Sequence, residues 1–545
     1  MVYRAALRFS FIFTEGESGA EATMNSNLEP TDKFPVLRNR LAITILFSAL
    51  IGLASFAYFS RYCSDVLFST DAADYVRGAK IGFAASYFET RSVGLWGSIR
   101  IMRQYPAARL HLWDFLEQQG DAAVNRHWHV APGLYGADIA SEFRAANRTY
   151  RLIMAATGAL AIGAIFIGLR LAGVHVLLAL ATTALATLSP SVAFASSNVT
   201  PHAQFLVALI ASGFAFAHYL ERGERAWGIA TGVALGLAVA TCELSIMLCG
   251  AFGLILVWRA FRSGLKSTVN LLPTPAVALL CTAILLWPGG VFRGSYLLSY
   301  GVEVLRALFR RGDFDDVSPS VSAILTRGAQ GSLLVVLLII AMAIGVLILE
   351  LTRRSNLHVQ VFSCLALAFL AQGMANRFKN LTYAAHFIVL VWILLALISE
   401  RWITLAKGRA RYAVPAAVCC MYFLLAIPAS RWPLANARVT NEERMDAAHA
   451  QETIALANRI IPPGATILGN YRYEIWDLYL PQNVVQHSTN VLNLQPRPWI
   501  KMPADYWVIA DPPSLSSDWR GRLHDLSPSS SAGGFVIAHI GVPNN

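Results

Sequence analysis

Long apolar runs separated by short polar gaps dominate the chain from residue 41 to about residue 430. The runs cover residues 41–60, 152–170, 172–192, 203–220, 226–242, 244–259, 271–289, 331–350, 357–373, 381–399 and 412–428. Each approaches the roughly 20 mainly apolar residues that cross a bilayer as a helix. The pattern therefore predicts an α-helical polytopic membrane protein with about eleven transmembrane helices. The members of the pair 226–242 and 244–259 are short, and together they read as a tight hairpin turning at Glu243.

Beyond residue 431 the pattern changes. Residues 440–460 have the periodicity of an amphipathic helix. The short runs Ala465–Leu468, Val484–Gln486, Tyr506–Ala510 and Phe535–Ile540 read as buried strands between turn residues. The expected division is a segment at 1–40, a transmembrane domain at 41–430 with a long outer loop at 61–150, and a small C-terminal α/β domain at 431–545. Helical stretches near 71–87 and 91–117 of that loop are expected to lie along the membrane surface. Residues 1–40 do not read as a cleavable secretory signal.

Basic residues set the orientation. If 1–40 is cytoplasmic, the short inner loops carry Arg170, Arg222, Arg225, Arg259, Arg262, Lys266, Arg353, Arg354, Arg401, Lys407, Arg409 and Arg411. The short outer loops carry only Arg377 and Lys379. Positive residues favour the cytoplasmic side, so the C-terminal domain is expected outside. Composition agrees: 55% of residues are hydrophobic and 14% charged, against about 25% charged in a soluble protein. The net charge of +11 is read as headgroup contact, because many basic residues flank apolar runs; membrane lipid is the expected partner and nucleic acid is not. The cysteines show no disulfide framework and no metal-ligand spacing. No dinucleotide or phosphate-loop glycine motif occurs in residues 431–545.

The unusual polar groups gather at the outer face. Asp71 and Asp74, three residues apart in Thr70-Asp-Ala-Ala-Asp-Tyr75, can face the same way on a helix. Arg91, His127, His129 and Tyr135 follow in the same loop. His202 lies in the turn between the third and fourth spans, Glu243 in the turn after the fifth, and Arg377 and Lys379 before the tenth; Tyr383 and His386 sit one turn inside that span. Ionisable groups at this depth are costly to place and are candidates for function. Each also has a plain structural reading: Asp71 or Asp74 at a helix N-terminus, His127 and His129 at headgroup level, His202 as a turn cap, Glu243 as a solvated hairpin tip, Arg377 and Lys379 as headgroup contacts. His175 and His218, on apolar helices at the inner side, read as structural.

The order of these features resembles the C-type glycosyltransferase superfamily, in the branch of the protein O-mannosyltransferases and the lipid A aminoarabinose transferase. The resemblance spans residues 41 to about 430 by architecture. It is carried by Asp71-Ala-Ala-Asp74-Tyr75, Pro132-Gly-Leu-Tyr135, Arg151 leading into the second span, Ser189-Pro190 through His202, and the glycine-rich stretch Gly228 to Glu243. It implies a glycosyltransferase that takes a sugar from a polyprenyl-phosphate donor and passes it to a glycan, lipid or protein acceptor at the periplasmic face of a bacterial inner membrane. Asp71 then matches the catalytic carboxylate, with Asp74 as second choice. Tyr75, Arg91, His127, His129, Tyr135, His202, Glu243, Arg377, Lys379, Tyr383 and His386 are the candidate substrate-binding residues, with Arg377 and Lys379 suited to the donor phosphate. Many members carry an acidic residue before the fourth span where this chain has Thr200-Pro-His202. No cofactor or metal ligand is assigned, although a divalent metal is compatible with the reading. The rival readings are a transporter or flippase of a lipid-linked saccharide and a non-catalytic membrane scaffold.

Overall fold

The computed structural model describes residues 33–63, 129–130, 139–198, 200–242, 244–286, 321–375, 381–469, 476–480, 482–487, 505–510, 529–532 and 535–540. Its elements in chain order begin with α1 (Lys33–Ser60), β1 (His129–Val130), α2 (Ile139–Leu171), α3 (Val176–Leu188), α4 (Pro190–Ser197), α5 (His202–Arg222) and α6 (Arg225–Thr241). Next come α7 (Ser245–Ser263), α8 (Leu265–Val269), α9 (Pro273–Leu286), α10 (Val321–Gly328), α11 (Leu333–Leu351), α12 (Leu357–Ala375) and α13 (Leu381–Leu405). The chain then forms α14 (Ala410–Ala429), α15 (Trp432–Ile460), β2 (Thr466–Gly469), α16 (Trp476–Tyr479), β3 (Val484–His487), β4 (Tyr506–Ala510), β5 (Ser529–Ala532) and β6 (Phe535–Ile540).

All eleven apolar runs form helix. Among the described residues nine helices are long and apolar enough to cross a membrane, and ten if one bent pair is a single span. Helix α6 is apolar but shorter. The chain is thus a polytopic helical membrane protein with a small sheet. Helices α5 and α13 are buried along most of their length and form the axis of the bundle, whereas α1, α7, α9 and α11 expose leucines and isoleucines such as Leu53, Leu254, Leu285 and Leu337. Among the described residues those side chains are exposed, as expected of a face turned to lipid.

Close approach of α6 to α9 depends on glycine. A Cβ at Gly232 would stand 2.3 Å from the Pro275 carbonyl oxygen, and one at Gly236 2.5 Å from Thr282 Cβ. Small residues four apart let membrane helices pack backbone to backbone, where dispersion replaces the missing hydrophobic drive. Elsewhere hydroxyls tie helices together: Ser48 Oγ donates to the Gly163 carbonyl at 3.1 Å, and the Thr182 and Tyr422 hydroxyls are 2.9 Å apart.

The run 172–192 is not one straight helix. It breaks into α3 and α4, bent by 64°. Pro190 opens α4, has no N–H to continue the ladder, and pushes Ser189 into extended backbone (φ −56°, ψ 124°). The Ser189 hydroxyl donates to the Leu185 carbonyl at 2.7 Å and accepts from Trp392 Nε1 at 3.0 Å, so the break is satisfied inside the bundle.

Helix α15 begins at Trp432, eight residues before the amphipathic run, and carries the chain from the bundle to the sheet. The six-stranded sheet has the order β1-β3-β2-β4-β6-β5. Strand β2 is parallel to β3 and β4, and the other neighbours are antiparallel. Four strands fall on the apolar runs of the sequence. The serine-rich β5 has no such signal. Edge strand β1 comes from residues 129–130, with His129 opposite Gln486 and Val130 opposite Val485. The connection between α1 and α2 and the C-terminal region therefore share one sheet.

Candidate functional site

One end of the bundle holds a cavity of about 400 Å³. It lies where α4, α10 and α15 meet the start of α13, and Tyr62 closes one side. Its lining is mostly apolar, with convergent polar groups from Asn198, Arg327, Gln330, Asn436 and Glu443. Helix α15 forms the outer wall because three contacts pin it: Asn436 Nδ2 donates to Tyr58 Oη at 3.0 Å, Tyr62 Oη to the Pro433 carbonyl at 3.4 Å, and Arg151 Nη1 to Glu443 Oε2 at 3.3 Å. Arg151 is fully buried at the head of the membrane part of α2, so the carboxylate offsets a charge removed from water.

Two amide oxygens are conspicuous. Asn198 Nδ2 donates to the Phe194 carbonyl at 3.2 Å and Gln330 Nε2 to Ser191 Oγ at 2.8 Å. Both oxygens, Asn198 Oδ1 and Gln330 Oε1, are buried without a hydrogen-bond partner among the described residues. Gln330 also has a φ of 58°, in the left-handed region that costs a residue with a Cβ about 1–2 kcal/mol. A strained residue holding an unsatisfied acceptor at a cavity wall is suited to a ligand's hydroxyl or amine.

Of the residues singled out in the sequence, three are brought together. His202, the first residue of α5, is buried, and its ring centroid lies 5.1 Å from Tyr383 and 5.0 Å from His386, both on α13. Phe205 meets His386 edge-on at 5.0 Å. His202 thus packs between helices, and Pro201 occupies the cap position of α5. The three rings stand beside the cavity and are not part of its lining, to which α13 contributes Ala384. His129 is placed by its backbone in β1. Asp71, Asp74, Tyr75, Arg91, His127, Tyr135, Glu243, Arg377 and Lys379 lie outside the described residues.

Chain connectivity nonetheless ties several of them to this end. Tyr62 lines the cavity nine residues before Asp71. The connection 376–380, with Arg377 and Lys379, joins the end of α12 to the start of α13. Glu443, Asn436 and Gln330 were missed in the sequence. Glu443 and Asn436 look like the polar face of an amphipathic helix, and Gln330 looks like an ordinary loop residue. The positive φ that marks Gln330 has no signature in its residue type.

The chain is a polytopic bundle with one bent helix pair, a mostly apolar cavity with a few polar groups at one end, and a small sheet to which the loop after α1 contributes a strand. Residues 130–288 match the family model of dolichyl-phosphate-mannose-protein mannosyltransferase, the branch that the sequence resembles. The structure of ArnT from Cupriavidus metallidurans bound to undecaprenyl phosphate shares the fold over 91% of this chain and 98% of its own, with a TM-score of 0.54 at 13% identity. ArnT from the same organism in the apo state aligns over 74% of this chain and 85% of its own (TM-score 0.45, 15% identity). The Pmt1-Pmt2 protein O-mannosyltransferase complex of S. cerevisiae bound to the sugar donor aligns over 52% of this chain and 35% of its own (TM-score 0.30, 20% identity). No curated protein matches the sequence.

Proposed function

We propose that this chain is a membrane glycosyltransferase that passes a sugar from a polyprenyl-phosphate donor to a glycan, lipid or protein acceptor at the periplasmic face of a bacterial inner membrane. The observation that carries the reading is the family match over residues 130–288, a stretch that includes α4, which lines one side of the cavity. The fold shared with ArnT agrees with it, and the donor is taken to be of the lipid-phosphate class held by that neighbour. The cavity is within the roughly 300–1,000 Å³ of small-molecule sites.

In this mechanism the donor arrives with phosphate as its leaving group, so little protonation is needed. Asp71 takes the proton of the acceptor hydroxyl as it attacks the anomeric carbon, with Asp74 beside it. Arg377 and Lys379 neutralise the departing phosphate, where fixed cations act most strongly in a water-poor site. The Asn198 and Gln330 oxygens accept hydrogen bonds from sugar or acceptor hydroxyls. The N-terminal segment is cytoplasmic, and the C-terminal sheet is on the periplasmic side.

The test uses membranes containing wild-type protein or Asp71→Asn, incubated with radiolabelled polyprenyl-phosphate hexoses and pentoses. Label reaching an envelope fraction with wild type alone supports the reaction and the carboxylate. Equal transfer by both removes Asp71 from the mechanism. Absence of transfer with every donor, from wild type that elutes as a folded species, turns the reading toward a transporter or scaffold.

A further inference from the structure

At the opposite end of the bundle, the last turn of α5 meets the first turn of α12. His218 and His358 face each other there edge-on, with ring centroids 4.6 Å apart. They are 1% and 4% exposed. Among the described residues neither ring nitrogen of His218 nor Nε2 of His358 has a hydrogen-bond partner. Burying such atoms without partners is costly, and a native structure keeps them so for a reason. Glu221, one turn after His218 on the same face of α5, brings a carboxylate oxygen to 3.7 Å from His218 Nδ1. That is too long for a hydrogen bond. One ligand atom from each of the three side chains lies within 4.8 Å of the other two.

We propose that His218, His358 and Glu221 form a binding site for a divalent transition-metal ion of the Zn2+ type, which ties the end of α5 to the start of α12. Two imidazoles and a carboxylate are a ligand set for zinc, with a water in the fourth position. Ligand atoms at about 2.0–2.2 Å from one tetrahedral ion stand roughly 3.4 Å apart. At 3.7 Å the Glu221 oxygen and His218 Nδ1 are already within a few tenths of an ångström of that spacing, and the widest separation in the group, at most 4.8 Å, closes with no more than about 1.4 Å of movement shared among the three side chains. Trp227 covers the His218 ring at 4.7 Å and Phe214 lies 6.3 Å from His358, so the site is walled by aromatic side chains. Arg222 acts on both rings as a positive charge, and the Glu221 carboxylate lies 3.7 Å from His218. The site is at the far end of the bundle from the cavity and stands independently of the transfer reaction.

The full chain, purified in detergent, is stripped with chelator, reloaded with Zn2+, dialysed, and analysed for zinc by mass spectrometry. About one zinc per chain in wild type is expected, falling to background in His218→Ala with His358→Ala, and Glu221→Gln is expected to weaken affinity about tenfold or more. Wild type that takes up well under one zinc per chain overturns the proposal, as does a double variant that keeps the same zinc. If the double variant elutes as aggregate, Co2+ titration of wild type decides. Absorption bands of tetrahedral cobalt with nitrogen and oxygen ligands support the site, and their absence overturns it.

Discussion

Removing the Glu443 charge tests one of the three contacts that hold α15 against the bundle. Arg151 is fully buried, and its Nη1 lies 3.3 Å from a carboxylate that is only 24% exposed. At that separation and an effective dielectric constant of about 20, the attraction is about 5 kcal/mol. Desolvation of both ions offsets much of it, yet removing one partner of a buried pair typically costs 3–5 kcal/mol. Glu443→Gln is therefore expected to destabilise by about 3 kcal/mol. At roughly 2 °C per kcal/mol for a large chain, the temperature at which half the protein loses its monodisperse size-exclusion peak falls by about 6 °C. The double change Arg151→Met with Glu443→Leu removes both charges and keeps apolar volume, so it recovers most of that loss. A Glu443→Gln protein as stable as wild type would refute the reasoning, because Arg151 would then be compensated elsewhere. A double variant no better than the single one would show that packing, and not the ion pair, holds the helix.

Other consequences follow from particular contacts. Gly232→Leu forces a side chain into the Pro275 carbonyl and Ala278; it should cost about 3 kcal/mol through the separation of α6 from α9, while Gly250→Ala, with open space at its Cβ, leaves the melting temperature unchanged. Gln330→Gly relieves a positive φ worth about 1–2 kcal/mol and gives up the bond to Ser191. Its stability should stay within about 1 kcal/mol of wild type while transfer falls about tenfold; unchanged transfer would remove the Gln330 amide from substrate binding. Cysteines at Val130 and Val485 should form a disulfide, since opposed residues of an antiparallel pair lie about 4.5–5.5 Å apart. Proteolytic halves cut between them then stay joined until reduced, and halves that separate without reductant would rule out the β1–β3 pairing.

The sequence by itself determined the class of fold. About eleven apolar runs in a chain with 14% charge have few soluble solutions, because lipid is the solvent that tolerates them. Four strands of the sheet were legible too, since β-branched and aromatic runs between turn residues mark buried strands. Several decisive features depended on residues far apart in the chain. Strand β1 is two residues long and becomes a strand only because β3 has a free edge beside it. The bend at Pro190 follows from local chemistry, but the Trp392 donor that satisfies it comes from α13. At the candidate site, sequence placed His202, Tyr383 and His386 at one face of the membrane, and packing of α5 against α13 turned them into a ring cluster beside the cavity. Glu443 shows the limit most clearly. On its own helix it is one polar residue among many, and it acquires a role only because Arg151, 292 positions earlier, is buried against it. Residue type and periodicity record which face of an element is apolar; which charge meets which across the bundle is decided by the crossing of helices, a property of the tertiary structure alone.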